Sequence, residues 1–163
     1  MNNQDLPYRP NVCLVILNKN NEIFIGERNH NEPGHWQLPQ GGIEEVGTIA
    51  ENALREGAEE LGVDIESLTV IRQLEASYCY DFRNPPKYAI GKFRGQEQCF
   101  WLLKFGGKDQ DIQLDRYEAE FKDWKWCSVE KLLDSTDPIR HDGYKQFIVE
   151  VESYIENSKV ENQ

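Results

Sequence analysis

Gly41-Gly42-Ile43-Glu44-Glu45-Val46-Gly47-Thr48-Ile49-Ala50-Glu51-Asn52-Ala53-Leu54-Arg55-Glu56-Gly57-Ala58-Glu59-Glu60-Leu61-Gly62-Val63 is the stretch that decides the fold. Small or apolar residues recur at Ala50, Ala53, Leu54, Gly57, Ala58 and Leu61, the spacing of one helical face. Thr48-Ile49-Ala50-Glu51 reads as a capping box, and Gly62 supplies a C-terminal stop. The pattern predicts a helix over 49–61. On it Glu56, Glu59 and Glu60 fan across one side, at about 100° per residue. Like charges at these spacings cost a few tenths of a kcal/mol per pair. Taken alone, the triple reads as a solvated acidic face. The sharper reading is a site for a hard cation such as Mg²⁺, which prefers carboxylate oxygens and bridges to phosphates.

Outward from the helix, the chain alternates between strand and turn signals. Val12–Leu17 is a buried-strand run and Glu22–Arg28 alternates as a second strand. Further runs fall at Leu68–Leu74, Ser77–Phe82, Gln98–Phe105 and Phe121–Cys127, with a short helix over Ser128–Leu133. Tyr144, Phe147, Ile148, Val151 and Ile155 share one helical face near the C-terminus. Strands with two substantial helices at separated points predict an α/β chain, a mixed sheet sandwiched by helices. The expectation is one domain over 1–156 and a frayed tail over 157–163.

Composition sets limits. Eighteen basic against 29 acidic residues give a net charge of −11. Duplex DNA is therefore an unsuitable general partner, because non-specific affinity comes from neutralising phosphates. The longest apolar run is far short of a membrane span, and Met1–Asp5 has neither a basic start nor an apolar stretch behind it. Cys13, Cys79, Cys99 and Cys127 form no C-x-x-C pair, which suits buried free thiols in a reducing cytoplasm. Against this acidity, Arg83–Gln96 carries Arg83, Lys87, Lys92 and Arg94 and no acid, with Tyr88 and Phe93 interleaved. This loop reads either as a phosphate clamp with aromatic faces for bases or as solvated surface, and the clamp is favoured.

The stretch from Gly41 to Val63 resembles the Nudix box, G-x5-E-x7-R-E-U-x-E-E-x-G-U. The resemblance extends through Tyr8-Arg9-Pro10-Asn11-Val12, Trp36–Gly42, Tyr80-Asp81-Phe82, Arg94-Gly95-Gln96 and Glu120–Trp126. These segments are similar to the branch that holds bacterial RNA pyrophosphohydrolases and plant-type diadenosine tetraphosphate hydrolases. The resemblance implies an α/β/α Nudix sandwich and cleavage of a phosphoanhydride with Mg²⁺, Mn²⁺ being an alternative ion. It implies Glu56, Glu59, Glu60 and Glu120 as metal ligands and Arg55 as the residue that orients the helix carboxylates. Glu56, Glu60 and Glu120 all stay open as the general base. Arg9 and Arg28 correspond to residues near the polyphosphate, although for Arg28 a surface charge is an equal alternative. Tyr80 matches a tyrosine used against adenine, although a half-buried strand tyrosine is the common fate.

The implied substrate is a nucleotide polyphosphate, with a dinucleoside tetraphosphate placed slightly ahead of a 5′-triphosphorylated RNA end. The preference rests on Tyr80-Asp81-Phe82 and on the acidity. Two departures are worth stating: Gly47 stands where the box has its first glutamate, and Cys99 where the branch usually has a lysine. They make a weakly active nucleotide sensor the rival from another class. For Gly47, two outcomes of Gly47→Glu compete. A gain in rate is favoured over a loss of stability, with Glu44 or Glu45 as substitute partners for Arg55.

Overall fold

The run Val12–Leu17 lies at the centre of β1 (Tyr8–Leu17), where every residue from Asn11 onward is buried. In the computed structural model, which describes residues 3–29 and 34–161, β1 is enclosed on both edges and both faces. Two-sided burial is why this run is continuously apolar rather than alternating. β2 (Ile23–Arg28) returns antiparallel to β1, and β3 (Trp36–Gln37) pairs with β2. β4 (Gln40–Gly42) pairs antiparallel with Asn11–Cys13 of β1. Next come the helix α1 (Ile49–Leu61), the long strand β5 (Leu68–Asp81) and β6 (Gly95–Phe105). β6 runs parallel to β1 over its whole length and antiparallel to β5. β7 (Phe121–Cys127) closes the far side on β2. The sheet is mixed, as expected, and seven-stranded.

Alternate residues of β1 feed two cores. Val12, Leu14 and Ile16 pack with Ala53, Ala58 and Leu61 of α1. Cys13, Val15 and Leu17 face the other way. There α2 (Leu132–Ser135) and α3 (His141–Tyr144) lead into α4 (Ile148–Glu161), which brings Val151 and Ile155. Each fully buried Leu, Ile or Phe contributes about 1.5–3 kcal/mol relative to exposure. This is the α/β/α arrangement the resemblance implied.

α1 begins and ends where its caps require. The Thr48 side chain accepts from the Glu51 amide at 3.1 Å, and Gly62 turns the chain at φ 67 while its N–H bonds the Ala58 carbonyl. Gly57 faces the sheet so closely that an added Cβ would meet Leu68 at 3.1 Å and Leu103 at 3.4 Å. Glycine there exchanges helix propensity for a closer helix–sheet approach.

Four expectations need correcting. The runs at 68–74 and 77–82 are one strand, because two register shifts against β6 absorb the break in alternation. Tyr144 belongs to α3, Phe147 to the turn that follows it, and Ile148, Val151 and Ile155 to α4, although Tyr144, Phe147, Val151 and Ile155 still share one core. The segment from 157 is helical to Glu161, with Lys159 3.6 Å from Glu156 one turn back; residues 162–163 lie outside the described part. Of the four thiols, Cys13 and Cys127 are buried, but Cys79 is exposed and Cys99 half-buried, because both lie near the end of the β5–β6 ladder.

Candidate active site

The helix register brings Glu56 and Glu60 to the end of the sheet where β1 starts. The Glu56 carboxylate packs directly on Gly41, so closely that any side chain at 41 would displace it. On the next residue, and on the opposite face of β4, the Arg9 guanidinium packs on Gly42 in the same way. The glycine pair thus admits an acid on one side and a base on the other. Beside it opens a cleft of about 310 Å³ walled by Arg9, Asn11, Arg28, Glu60, Gln96 and Glu120.

Arg55 organises the acids. Its guanidinium lies 3.4 Å from Glu44, 3.5 Å from Glu56 and 3.8 Å from Glu59, and donates to Asn52 Oδ1 at 3.0 Å. Asn52 Oδ1 also accepts from the Glu44 amide at 3.0 Å, which ties the preceding loop to the helix. Burial, followed by the charge of Glu59, raises the Glu56 pKa, and Arg55 opposes this. Glu60 is pushed up to about 8, first by burial and then by Glu120 and Glu56, with Arg28 pulling the other way. Glu59 is more open and turns towards Arg55. Glu120 stands exposed on the loop before β7.

The buried polar atoms say where a ligand fits. Among the described residues, four buried side-chain polar atoms lack a hydrogen-bond partner. Three of them, Asn11 Oδ1, Arg28 Nε and Glu60 Oε2, belong to residues of this one cleft. Buried polar groups are normally satisfied, so such a concentration marks a place where partners arrive from outside. Glu60 Oε2 and the neighbouring Glu56 and Glu120 are hard oxygen donors, a set that fits a divalent cation. Among the described residues no three acids, imidazoles or thiols are gathered tightly enough to be a ready-made cage.

The sequence-derived residues divide. Arg9 and Arg28 stand on the cleft wall, together with Glu60 and Glu120, while Glu56 reaches it through Gly41. Tyr80 stands behind the wall with its hydroxyl donated to Gln96 Oε1 at 2.7 Å; burial raises its pKa and Arg140 opposes. The loop cations are elsewhere. Lys87 and Lys92 are exposed and line no part of the cleft. Arg94 is bound to Asp81 at 3.0 and 3.2 Å and donates to the Gln4 carbonyl, so it fastens the strand edge and is unavailable as a clamp. From that loop Tyr88 enters the cleft wall instead.

Gly47 also departs from the favoured expectation. Its φ is +82, and a Cβ there would meet Glu51 Oε2 at 2.7 Å, so glutamate is strained at this point. Glu44 lies 3.4 Å from Arg55 and so supplies it with an acid from the loop. Sequence reasoning did not single out Asn11, Gln37, Gln40 or Gln96 as cleft residues. Their one visible signal was a carboxamide interrupting apolar strands.

A family profile described as the NUDIX domain matches residues 7–147. The RNA pyrophosphohydrolase of Rickettsia conorii is 40% identical over 154 residues, covering 93% of this chain and 94% of that protein. The RNA pyrophosphohydrolase of Novosphingobium aromaticivorans is 39% identical over 157 residues, covering 92% and 96%. Among solved structures, a C. elegans Ap4A hydrolase complex overlays with a TM-score of 0.62 at 22% identity, covering 90% of this chain and 98% of that one. An E. coli dihydroneopterin triphosphate pyrophosphohydrolase overlays at 0.63 with 19% identity, covering 88% and 99%. The two solved structures support the fold, and the profile with the two 39–40% identical relatives supports the lineage: the chain belongs to the Nudix family of hydrolases.

Proposed function

We propose that the chain is a divalent-metal-dependent pyrophosphohydrolase acting on the 5′-triphosphate end of RNA. The observation that carries the reading is the cleft itself, which is lined both by an unsatisfied carboxylate oxygen, Glu60 Oε2, and by an unsatisfied guanidinium nitrogen, Arg28 Nε. Glu56, Glu59 and Glu60 would hold Mg²⁺ or Mn²⁺, with Glu120 near Glu60 as a further oxygen donor. A bound divalent ion supplies neutralisation of phosphate oxygens and a lowered pKa for the attacking water. Arg55 keeps Glu56 and Glu59 in position, and Arg9 and Arg28 take phosphate oxygens. The water's proton passes to a carboxylate on the acidic wall.

Preference for the RNA end reverses the order read from sequence. The grounds for a dinucleotide were the segment Tyr80-Asp81-Phe82 and the acidity; within that segment the Tyr80 hydroxyl is engaged by Gln96, and the Asp81 carboxylate is engaged by Arg94 and by the Tyr8 hydroxyl at 2.7 Å. The hydrogen-bonding groups of Tyr80 and Asp81 are thus already engaged, and relatives at 39–40% identity are named RNA pyrophosphohydrolases. The Glu44–Arg55 pair gives Arg55 an acid despite Gly47, which weighs against the weakly active sensor on one of its two grounds, the other being Cys99. The test is a divalent-ion titration with a 5′-triphosphorylated RNA oligomer and diadenosine tetraphosphate side by side. Pyrophosphate release from RNA with the higher kcat/KM supports the reading. Faster cleavage of the dinucleotide, or no metal-dependent turnover of either, overturns it.

A further inference from the structure

Arg9 lies in a cleft of a strongly acidic protein, yet among the described residues no carboxylate pairs with it and no hydrogen bond engages its guanidinium. Two contacts hold it. The guanidinium packs on Gly42, and its Cζ lies over the Tyr88 ring, 4.8 Å from the centroid. A guanidinium stacked on an aromatic face keeps its N–H donors free in the plane of the group. Tyr88 is itself anchored: its hydroxyl accepts from Gln96 Nε2 at 3.3 Å, and Gln96 Oε1 accepts from the Tyr80 hydroxyl at 2.7 Å. Gln96 is 6% exposed and sits on β6 directly opposite Arg9 of β1.

We infer that Tyr88 is a positioning residue for phosphate binding, holding Arg9 against Gly42 so that its donors face the cleft. The loop 83–94 then serves the site through an aromatic ring, while its cations serve elsewhere. This role rests on the phosphate-site reading above and concerns the substrate's polyphosphate, not its base. It also gives the Tyr80–Gln96 pair a purpose, since that pair fixes the height of the ring over Arg9.

The experiment is a double-mutant cycle on the full-length chain, read by calorimetric binding of inorganic tripolyphosphate at low ionic strength. Steady-state kinetics on triphosphorylated RNA follow in parallel. Tyr88→Leu is expected to weaken tripolyphosphate binding by about tenfold and to raise KM more than it lowers kcat. Tyr88→Phe keeps the ring and stays within about threefold of wild type. In an Arg9→Ala background, Tyr88→Leu changes binding by less than about twofold, because the residue it positions is gone. Additive losses in the cycle overturn the role, as does a loss confined to nucleoside-bearing ligands, which marks the ring as a base platform. A wild-type chain that binds no tripolyphosphate overturns the phosphate-site reading and this role together. Wild-type binding with a failed cycle removes only the role of Tyr88.

Discussion

Arg55 touches three carboxylates and one carboxamide, so its surroundings decide what the residue at 47 has to do. With Glu44 already beside it, a second acid in the loop adds little. A non-glycine residue in the left-handed region costs on the order of 1–2 kcal/mol. Gly47→Glu is therefore expected to lower the melting temperature without raising kcat/KM, and a variant that melts unchanged and turns over faster would contradict this. Glu60 makes a second test. Its pKa is raised on folding, so its contribution to stability is fully present below the ordinary carboxylate pKa. That contribution fades as pH climbs through about 8, where the folded chain must ionise a crowded, buried acid. In metal-free protein, Glu60→Gln should melt increasingly above wild type between pH 5 and pH 9, as scanning calorimetry would show. Glu59→Gln and Glu60→Gln should each lower kcat by at least about 10²-fold in metal-loaded protein, with the fold intact by circular dichroism.

At the scale of elements, α1 is the part of the fold that was most legible. Its periodicity, its Thr48 cap and its Gly62 stop are local signals, and the helix begins and ends where they indicate. Gly57 is expected to tolerate Ala, whose Cβ needs a few tenths of an ångström from Leu68, but not Leu. Overpacking at that seam should cost Gly57→Leu about 1–3 kcal/mol, measurable by urea denaturation. In the loop 83–94 net charge is visible in sequence and side-chain direction is not, and Lys87 and Lys92 do not line the cleft. Arg94 finds Asp81 across a β-ladder, a contact thirteen residues away that no local pattern signals. The carboxamides of the cleft were equally hidden, since a buried Gln or Asn has no periodicity of its own. The helix fixed the spacing of Glu56, Glu59 and Glu60, but spacing alone read as a solvated acidic face, and their part as metal ligands came from the resemblance to the Nudix box.

For the whole molecule, a charge of −11 faces a polyanionic substrate, so affinity has to come from few and well-placed cations. With Arg9 and Arg28 as the two phosphate contacts, log affinity for single-stranded RNA should fall with log salt at a slope near −1.4, about −0.7 per contact. A slope steeper than about −3 would mean that the exposed lysines of the loop contribute after all. Neutralising Lys87 and Lys92 together is expected to leave that slope and KM unchanged. The glycine pair of β4 carries a consequence of another kind. Neither Gly41 nor Gly42 has a backbone angle that demands glycine, so alanine is compatible with the chain trace at both. What alanine displaces is a functional group: the Glu56 carboxylate at one position and the Arg9 guanidinium at the next. In a saturation library scored twice, for cellular abundance and for turnover, these two sites should separate the scores more widely than core positions, where both fall together. Drift through stable intermediates is then closed to this dipeptide, and its inheritance follows the reaction more than the fold.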